Sequence, residues 1–227
     1  MKFALAIALT VALATGASAA EINRQIPAAA YDPPNTAATE KAVFAGGCFW
    51  GIQGVFQHVK GVTSAVSGYS GGTKETATYN QVITETTGHA EAVEVTFDPR
   101  QVSYAALLRI FFSVAHDPTE VNRQGPDTGP SYRTALFPLA PRQEKVARDY
   151  IAQLDRAKLF PRAIATRVEA FKGFFAAEDY HQDYLYNNPS QPYIVINDLP
   201  KLRNLAKVWP DHWRSQPVLV RNHLSGK

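Results

Sequence analysis

Apolar positions along the chain change period several times, and each change predicts an element. From Phe3 to about Ala14 the run is almost continuously apolar, with Lys2 before it and Ala17-Ser18-Ala19 after it. A short basic start, an apolar stretch too short to span a bilayer and an A-x-A site predict a secretory signal peptide over residues 1–20. Residues 21–40, rich in Ala, Pro and Thr and without a period, read as an extended leader lying over the domain surface. "KAVFAGG" then reads as a short strand closed by Gly46 and Gly47. Beyond it Phe49, Ile52, Val55, Phe56 and Val59 fall at helical spacing, which places Cys48 at a strand-to-helix turn.

The same reading continues downstream. "GVTSAVSGYSGG" predicts a strand ending in a glycine loop. "GHAEAVEVTFDP" predicts the clearest strand, with Val93, Val95 and Phe97 on one face and a stop at Asp98-Pro99. "SYAALLRIFFSVAH" predicts an apolar helix capped by Ser103, followed by a polar, glycine- and proline-punctuated loop. "TALFPL" and "AIATRVEAF" predict strands on either side of the amphipathic helix "PRQEKVARDYIAQLDRAK", which starts on Pro141. "AAEDYHQDYLYNN" predicts one aromatic-rich helix ended by Pro189, and the tail predicts an extended "YIVIND" before the partly helical "LPKLRNLAKVWPDHW". Irregular alternation of strands and helices favours an α+β two-layer fold over a doubly wound parallel sheet. The domain reading is a signal peptide over 1–20, a leader over 21–40, a catalytic domain over 41–200 and a C-terminal extension over 201–227.

Composition narrows the function classes. Removing residues 1–20 takes away Lys2 and no acid, so the formal charge falls from +3 to +2. With no basic run, nothing argues for nucleic acid or an anionic membrane as partner. The signal peptide implies export, to the periplasm in a Gram-negative host and to the medium otherwise. The chain has a single cysteine, Cys48, and its only methionine is Met1. A lone thiol in an exported protein is either reactive or paired with another molecule.

A thiol at a helix N-terminus meets unsatisfied N–H groups and the positive end of the helix dipole, which favour the thiolate. This predicts a depressed Cys48 pKa, and the alternative is an inert, packed cysteine. Phe49 and Trp50 are either core aromatics or the wall of an apolar pocket beside the sulfur. Glu91 shares the strand parity of Val93, Val95 and Phe97, so its carboxyl faces the apolar side, whereas Glu94 faces away. There it is either a protonated donor with a raised pKa or a strand-end Glu reaching water or an arginine. His89, His116 and His181 show no metal-ligand spacing, so no metal is expected.

The stretch "GGCFWG" resembles the A-type peptide methionine sulfoxide reductases. So do "VSGYSGG", "TYNQV", "TGHAEAVEVTFDP", "HDPTEVNRQGPDTGPSYR" and "FFAAEDYHQDYL", in the family's order and covering roughly residues 41–200. The resemblance implies a two-layer α+β sandwich with a mixed sheet and a ferredoxin-like core, no cofactor, and reduction of the S epimer of methionine sulfoxide, free or in proteins. It implies Cys48 as nucleophile, Glu91 as the acid on the sulfoxide oxygen, and Tyr79 and Tyr132 as further donors to that oxygen. It also implies Phe49 and Trp50 as the methyl pocket and Asp127 as a substrate-side acid. Two departures stand out: Ser131 replaces the Gln common before the loop tyrosine, and the C-terminal resolving cysteines of many members are missing. Cys48 would end as a sulfenic acid, and an external thiol, a thioredoxin-like protein or a small thiol, would regenerate it. The competing readings are a single-cysteine thiol peroxidase, a Cys-His acyl-transfer enzyme using one of the three histidines, and a non-enzymatic binding module for exposed methionine or aromatic segments.

Overall fold

The computed structural model describes residues 25–220. The signal-peptide reading falls outside the described residues. β1 (Glu40–Gly46) turns through Gly47 and Cys48 into α1 (Phe49–Gln57), and β2 (Val62–Ser70) follows. After the short α2 (Tyr79–Val82) come β3 (Ala90–Phe97) and α3 (Tyr104–Ile110), which runs on as a π-helical turn over Phe111–Ala115. The polar loop forms a two-residue hairpin, β4 (Arg123–Gln124) with β5 (Asp127–Thr128), and a 3₁₀ turn over Pro130–Tyr132. Next are β6 (Thr134–Phe137), α4 (Pro141–Arg156), β7 (Arg167–Val168), β8 (Phe174–Ala176) and α5 (Tyr184–Asn187). A π-helical segment, Ile194–Asp198, then passes directly into α6 (Leu199–Val208).

The main sheet has the order β7-β6-β1-β3-β2-β8, antiparallel except for the β6–β7 pair. β1 and β2 both run against β3 and are joined by α1. β3 and β6 both run against β1 and are joined through α3. Two interlocked split βαβ units are the ferredoxin-like arrangement, so the fold is α+β with a mixed sheet.

Strand alternation sets the layers. Ala42, Phe44, Val93, Val95 and Phe97 belong to the main core with the helices. Val43, Ala45, Ala90, Ala92, Ala135 and Phe137 form a thin second cluster against which, among the described residues, Phe174 packs. α1 is nearly all buried, with Trp50 its one partly exposed residue, so the N-terminus of this helix opens inside the protein.

Residues 25–39 pack as an extended strap. Ile26 is buried in the core, Arg109 Nε donates to its carbonyl at 2.6 Å, and the Tyr150 hydroxyl donates to Pro27 O at 2.6 Å. Ser103 accepts from Ala106 N at 3.1 Å, as its N-cap reading requires.

Two elements differ from the sequence reading. Residues 176–188 are not one helix: they are a strand end, a 3₁₀ turn over Asp179–His181, a left-handed Asp183 (φ 54°) and the short α5. Tertiary hydrogen bonds override the helical pattern here. Gln53 Nε2 donates to Gln182 Oε1 at 2.9 Å, Asp183 N donates to Gln53 Oε1 at 3.0 Å, and Gln57 Nε2 donates to Asp183 Oδ1 at 2.7 Å. These bonds satisfy two buried glutamines of α1. "YIVIND", expected to be extended, is helical. Ile194 and Asp198 are buried on one side of the turn, while Val195 and Ile196 project outward.

Candidate active site

The turn after β1 builds the site. Gly47 has φ +87°, and a Cβ there would overlap the side chain of Gln124, so only glycine lets the hairpin loop lie against the start of α1. Gln124 is itself held by Asp117, accepting from Asp117 N at 2.9 Å and donating to Asp117 O at 2.6 Å. Cys48 follows as the N-cap residue of α1, with φ −51° and ψ 122°. It is 8% exposed and opens onto a narrow cavity of about 40 Å³ walled mainly by His116, Gln124, Asp127, Tyr193, Asn197 and Lys201.

Glu91 is 3% exposed, and its Oε2 accepts from Phe49 N at 3.0 Å, one residue beyond the thiol. The carboxyl thus sits at the unsatisfied N–H groups of α1. Burial nevertheless pushes its pKa up to about 8, against the Phe49 hydrogen bond and with help from the charges of Asp127, Glu85 and Asp198. Tyr79 and Tyr132 belong to the same electrostatic cluster. The phenol pKa of each is raised, first by burial and then by neighbours that include both Glu91 and Cys48. Glu178 fixes Tyr79, accepting from Tyr79 N at 2.8 Å and from the Tyr69 hydroxyl at 2.9 Å. Glu85 fixes the turn under Tyr132 through Ser131, whose backbone N–H and hydroxyl each donate to it at 2.7 Å.

The expected depression of the Cys48 pKa is corrected. The thiol is raised well above its ordinary value, first by burial and then by Glu91 and Asp198. The backbone N–H of Trp50 and the Lys201 ammonium oppose them. Loss of hydration and two nearby carboxyls outweigh the helix terminus, because a buried anion forfeits far more solvation than a few N–H dipoles return.

The aromatics divide between core and surface. Phe49 is 1% exposed, packed between Tyr69 (ring centroids 5.9 Å apart) and His181 (5.0 Å). Trp50 is half-buried. It stacks on Tyr184 at 3.7 Å and 9°, meets Tyr193 edge-on at 6.0 Å, and donates from Nε1 to His181 Nδ1 at 3.2 Å. Asp127 lines the Cys48 cavity, accepts from the Tyr193 hydroxyl and has its pKa raised by burial.

None of the three histidines is hydrogen-bonded to Cys48 among the described contacts. His116 borders the cavity, but its Nδ1 is engaged by Phe111 O at 3.1 Å and its Nε2 by Thr134 Oγ1 at 2.9 Å. Burial drives its pKa down to about 3. His89 is held by Thr73 O and Gly72 N, and His181 serves Trp50.

Residues 40–213 match the family model described as peptide methionine sulfoxide reductase. The chain belongs to the peptide methionine sulfoxide reductase family. It is 57% identical over 182 residues to peptide methionine sulfoxide reductase MsrA 2 of Mesorhizobium japonicum, covering 80% of this chain and 93% of the relative. Identity to the MsrA 2 protein of Synechocystis is 52%, over 84% of this chain and 90% of that one. Among solved structures, methionine sulfoxide reductase A of Corynebacterium diphtheriae is similar at TM-score 0.58 and 34% identity, covering 68% of this chain and 77% of that one. Reduced Mxr1 from Saccharomyces cerevisiae is similar at TM-score 0.61 and 29% identity, over 71% and 92%.

In this member of the peptide methionine sulfoxide reductase family, the sequence reading missed one wall of the site. Tyr193, Asn197 and Lys201 all line the Cys48 cavity and stand four residues apart, and Asp198 lies beside them, wholly buried. That spacing is the helical signal that an extended reading of "YIVIND" discards. The family match also runs past residue 200 to 213, so α6 lies within it.

Proposed function

We propose that this chain reduces methionine sulfoxide in proteins, or free, through Cys48, with Glu91 as the proton donor. The observation that carries the reading is a buried carboxyl at the N-terminus of α1, hydrogen-bonded to the residue that follows the only thiol, where burial favours its protonated form. A sulfoxide sulfur becomes electrophilic as its oxygen accepts a proton or strong hydrogen bonds. Glu91 supplies the proton, and Tyr79 and Tyr132 add donors where negative charge develops. Trp50, backed by Tyr184 and edged by Tyr193, offers an aromatic wall for the methyl group, with Phe49 packed behind it. Asp127, in the wall of the same cavity, is the acid assigned to the substrate side.

The atoms balance. The Cys48 thiolate attacks the sulfoxide sulfur and the Glu91 proton goes to its oxygen. In the adduct so formed the hydroxyl passes from the methionine sulfur to the Cys48 sulfur, so a new Cys48 S–O bond replaces both the methionine S–O bond and the transient S–S bond. Methionine leaves reduced by two electrons, Cys48 is oxidised to a sulfenic acid, and Glu91 is left as its carboxylate. With no second cysteine in the chain, an external thiolate attacks the sulfenic sulfur, water leaves, and a second thiol breaks the mixed disulfide. A thioredoxin-like protein or a small thiol fits this role. The N-terminal pattern supports export, with a mature chain starting near residue 21 and a periplasmic address in a Gram-negative host.

The test is one equivalent of each separated sulfoxide epimer without reductant, followed by mass spectrometry. The S epimer is expected to yield methionine and a gain of one oxygen on Cys48. A disulfide-linked dimer as main product, or peroxide consumed faster than the sulfoxide, would overturn the reading.

A further inference from the structure

Asp198 is an anomaly beside this site. Its side chain is wholly inaccessible, Lys201 Nζ approaches its Oδ1 at 3.0 Å, and its Oδ2 has no hydrogen-bond partner among the described residues. A buried carboxylate with an unmet oxygen is costly and calls for a function. The pair lies directly against the first turn of α1. A Cβ on Gly51 would overlap Asp198 Oδ1 and come within 2.7 Å of Lys201 Nζ. The two members face differently, since Lys201 forms part of the wall of the Cys48 cavity and Asp198 lies behind it.

We infer that the Asp198–Lys201 pair is a positioning element that sets the charge on the Cys48 sulfur: Asp198 holds it as a neutral thiol at rest, and Lys201 is its counter-ion once it ionises. The inference rests on Cys48 being the nucleophile. Both charges act on the sulfur, Asp198 against the thiolate and Lys201 for it. The other groups facing this sulfur are Glu91 from β3, Asp127 from β5, His116 after α3, Tyr193 ahead of α6, and the phenols of Tyr79 and Tyr132. Among all of these described groups Lys201 is the one cation, because His116 is held neutral. A resting thiol resists adventitious oxidation, since oxidants attack the thiolate. An ammonium already fixed in the wall then supports the anion during attack with no reorganisation.

The experiment is the pH profile of Cys48 alkylation by iodoacetamide in the full chain, which reads sulfur charge without any sulfoxide. Below the thiol midpoint the rate changes about tenfold per unit of pKa. Asp198→Asn is expected to alkylate about tenfold faster than wild type in that range, with an unchanged plateau at high pH. Adding Lys201→Met is expected to remove most of that gain, and adding Lys201→Arg to keep it. An Asp198→Asn rate within threefold of wild type overturns the proposal, as does equal behaviour of the Met and Arg double variants. The wild type provides a check that needs no folding of a variant: its S–H infrared stretch should persist at pH 8, and a sulfur already ionised at pH 7 overturns the proposal. If the shifts appear but no sulfoxide is reduced, the charge-setting role stands and the assigned reaction falls.

Discussion

Glu91 and Cys48 keep the usual order of proton affinity, carboxyl below thiol, which is the reverse of what the reaction needs. The carboxyl is held up at about 8 and the thiol well above its ordinary value, yet the reaction needs the thiolate with the protonated acid. That active form is the minor arrangement of the singly deprotonated pair. We therefore expect kcat/KM to climb as pH rises to about 8, hold, and fall only above the thiol's own midpoint. Glu91→Gln should cost about 10²–10³-fold in kcat/KM and move the rising limb up to that thiol midpoint, as a pH series on both proteins would check. Stability has the matching sign. The folded protein keeps the Glu91 proton between about 4.5 and about 8, where the unfolded chain has lost it. The contribution is therefore complete below about pH 4.5 and lost as pH rises through 8. Glu91→Gln should leave the midpoint of denaturation nearly unchanged at pH 4 and raise it at pH 8.5. A larger gain at the acid end would contradict the raised carboxyl.

At the scale of elements, the 3₁₀ turn over Pro130–Tyr132 connects the hairpin to β6 and carries Tyr132. Its anchor is Glu85, a residue in the left-handed region (φ 63°) that receives two donors from Ser131. Ser131 is thus fully partnered by Glu85. Ser131→Ala removes the hydroxyl donor and leaves the backbone bond, a loss of about 1–3 kcal/mol for a bond to a charged acceptor. If the turn positions Tyr132 for the transition state, kcat should fall with KM little changed. An unchanged kcat in steady-state assays would make the anchor purely structural. Gly51→Ala tests α1 itself. The new methyl must displace the Asp198–Lys201 pair, and overpacking of this kind costs typically ~1–3 kcal/mol, readable in urea unfolding.

For the whole molecule, the strap over residues 25–39 contributes Ile26 to the core although it belongs to no layer. Ile26 is 1% exposed, and the strap around it is held by α3 and α4 through Arg109, Tyr150 and Gln153. Ile26→Ala should destabilise the fold by about 2–5 kcal/mol and leave kcat/KM at a permissive temperature as it was, because none of these contacts reaches the Cys48 cavity. A loss of activity without a loss of stability would show that the strap acts on the site.

Local pattern was enough for the two-layer α+β class, the strand-to-helix turn at Cys48, the Ser103 cap and the inward face of Glu91. Each follows from steric and hydrogen-bonding preferences that act within a few residues: glycine punctuation, helical spacing from Phe49, and alternation along β3. The charge on the thiol, the break in the helix at Asp183 and the helical wall of Tyr193, Asn197 and Lys201 had to wait for the assembled chain. They depend on how completely water is excluded and on partners far away in sequence: Gln53 and Gln57 for Asp183, Asp198 and Glu91 for Cys48. Solvation and long-range Coulomb terms have no periodicity along a chain, so a neighbour-based reading locates the thiol but assigns it the wrong proton affinity.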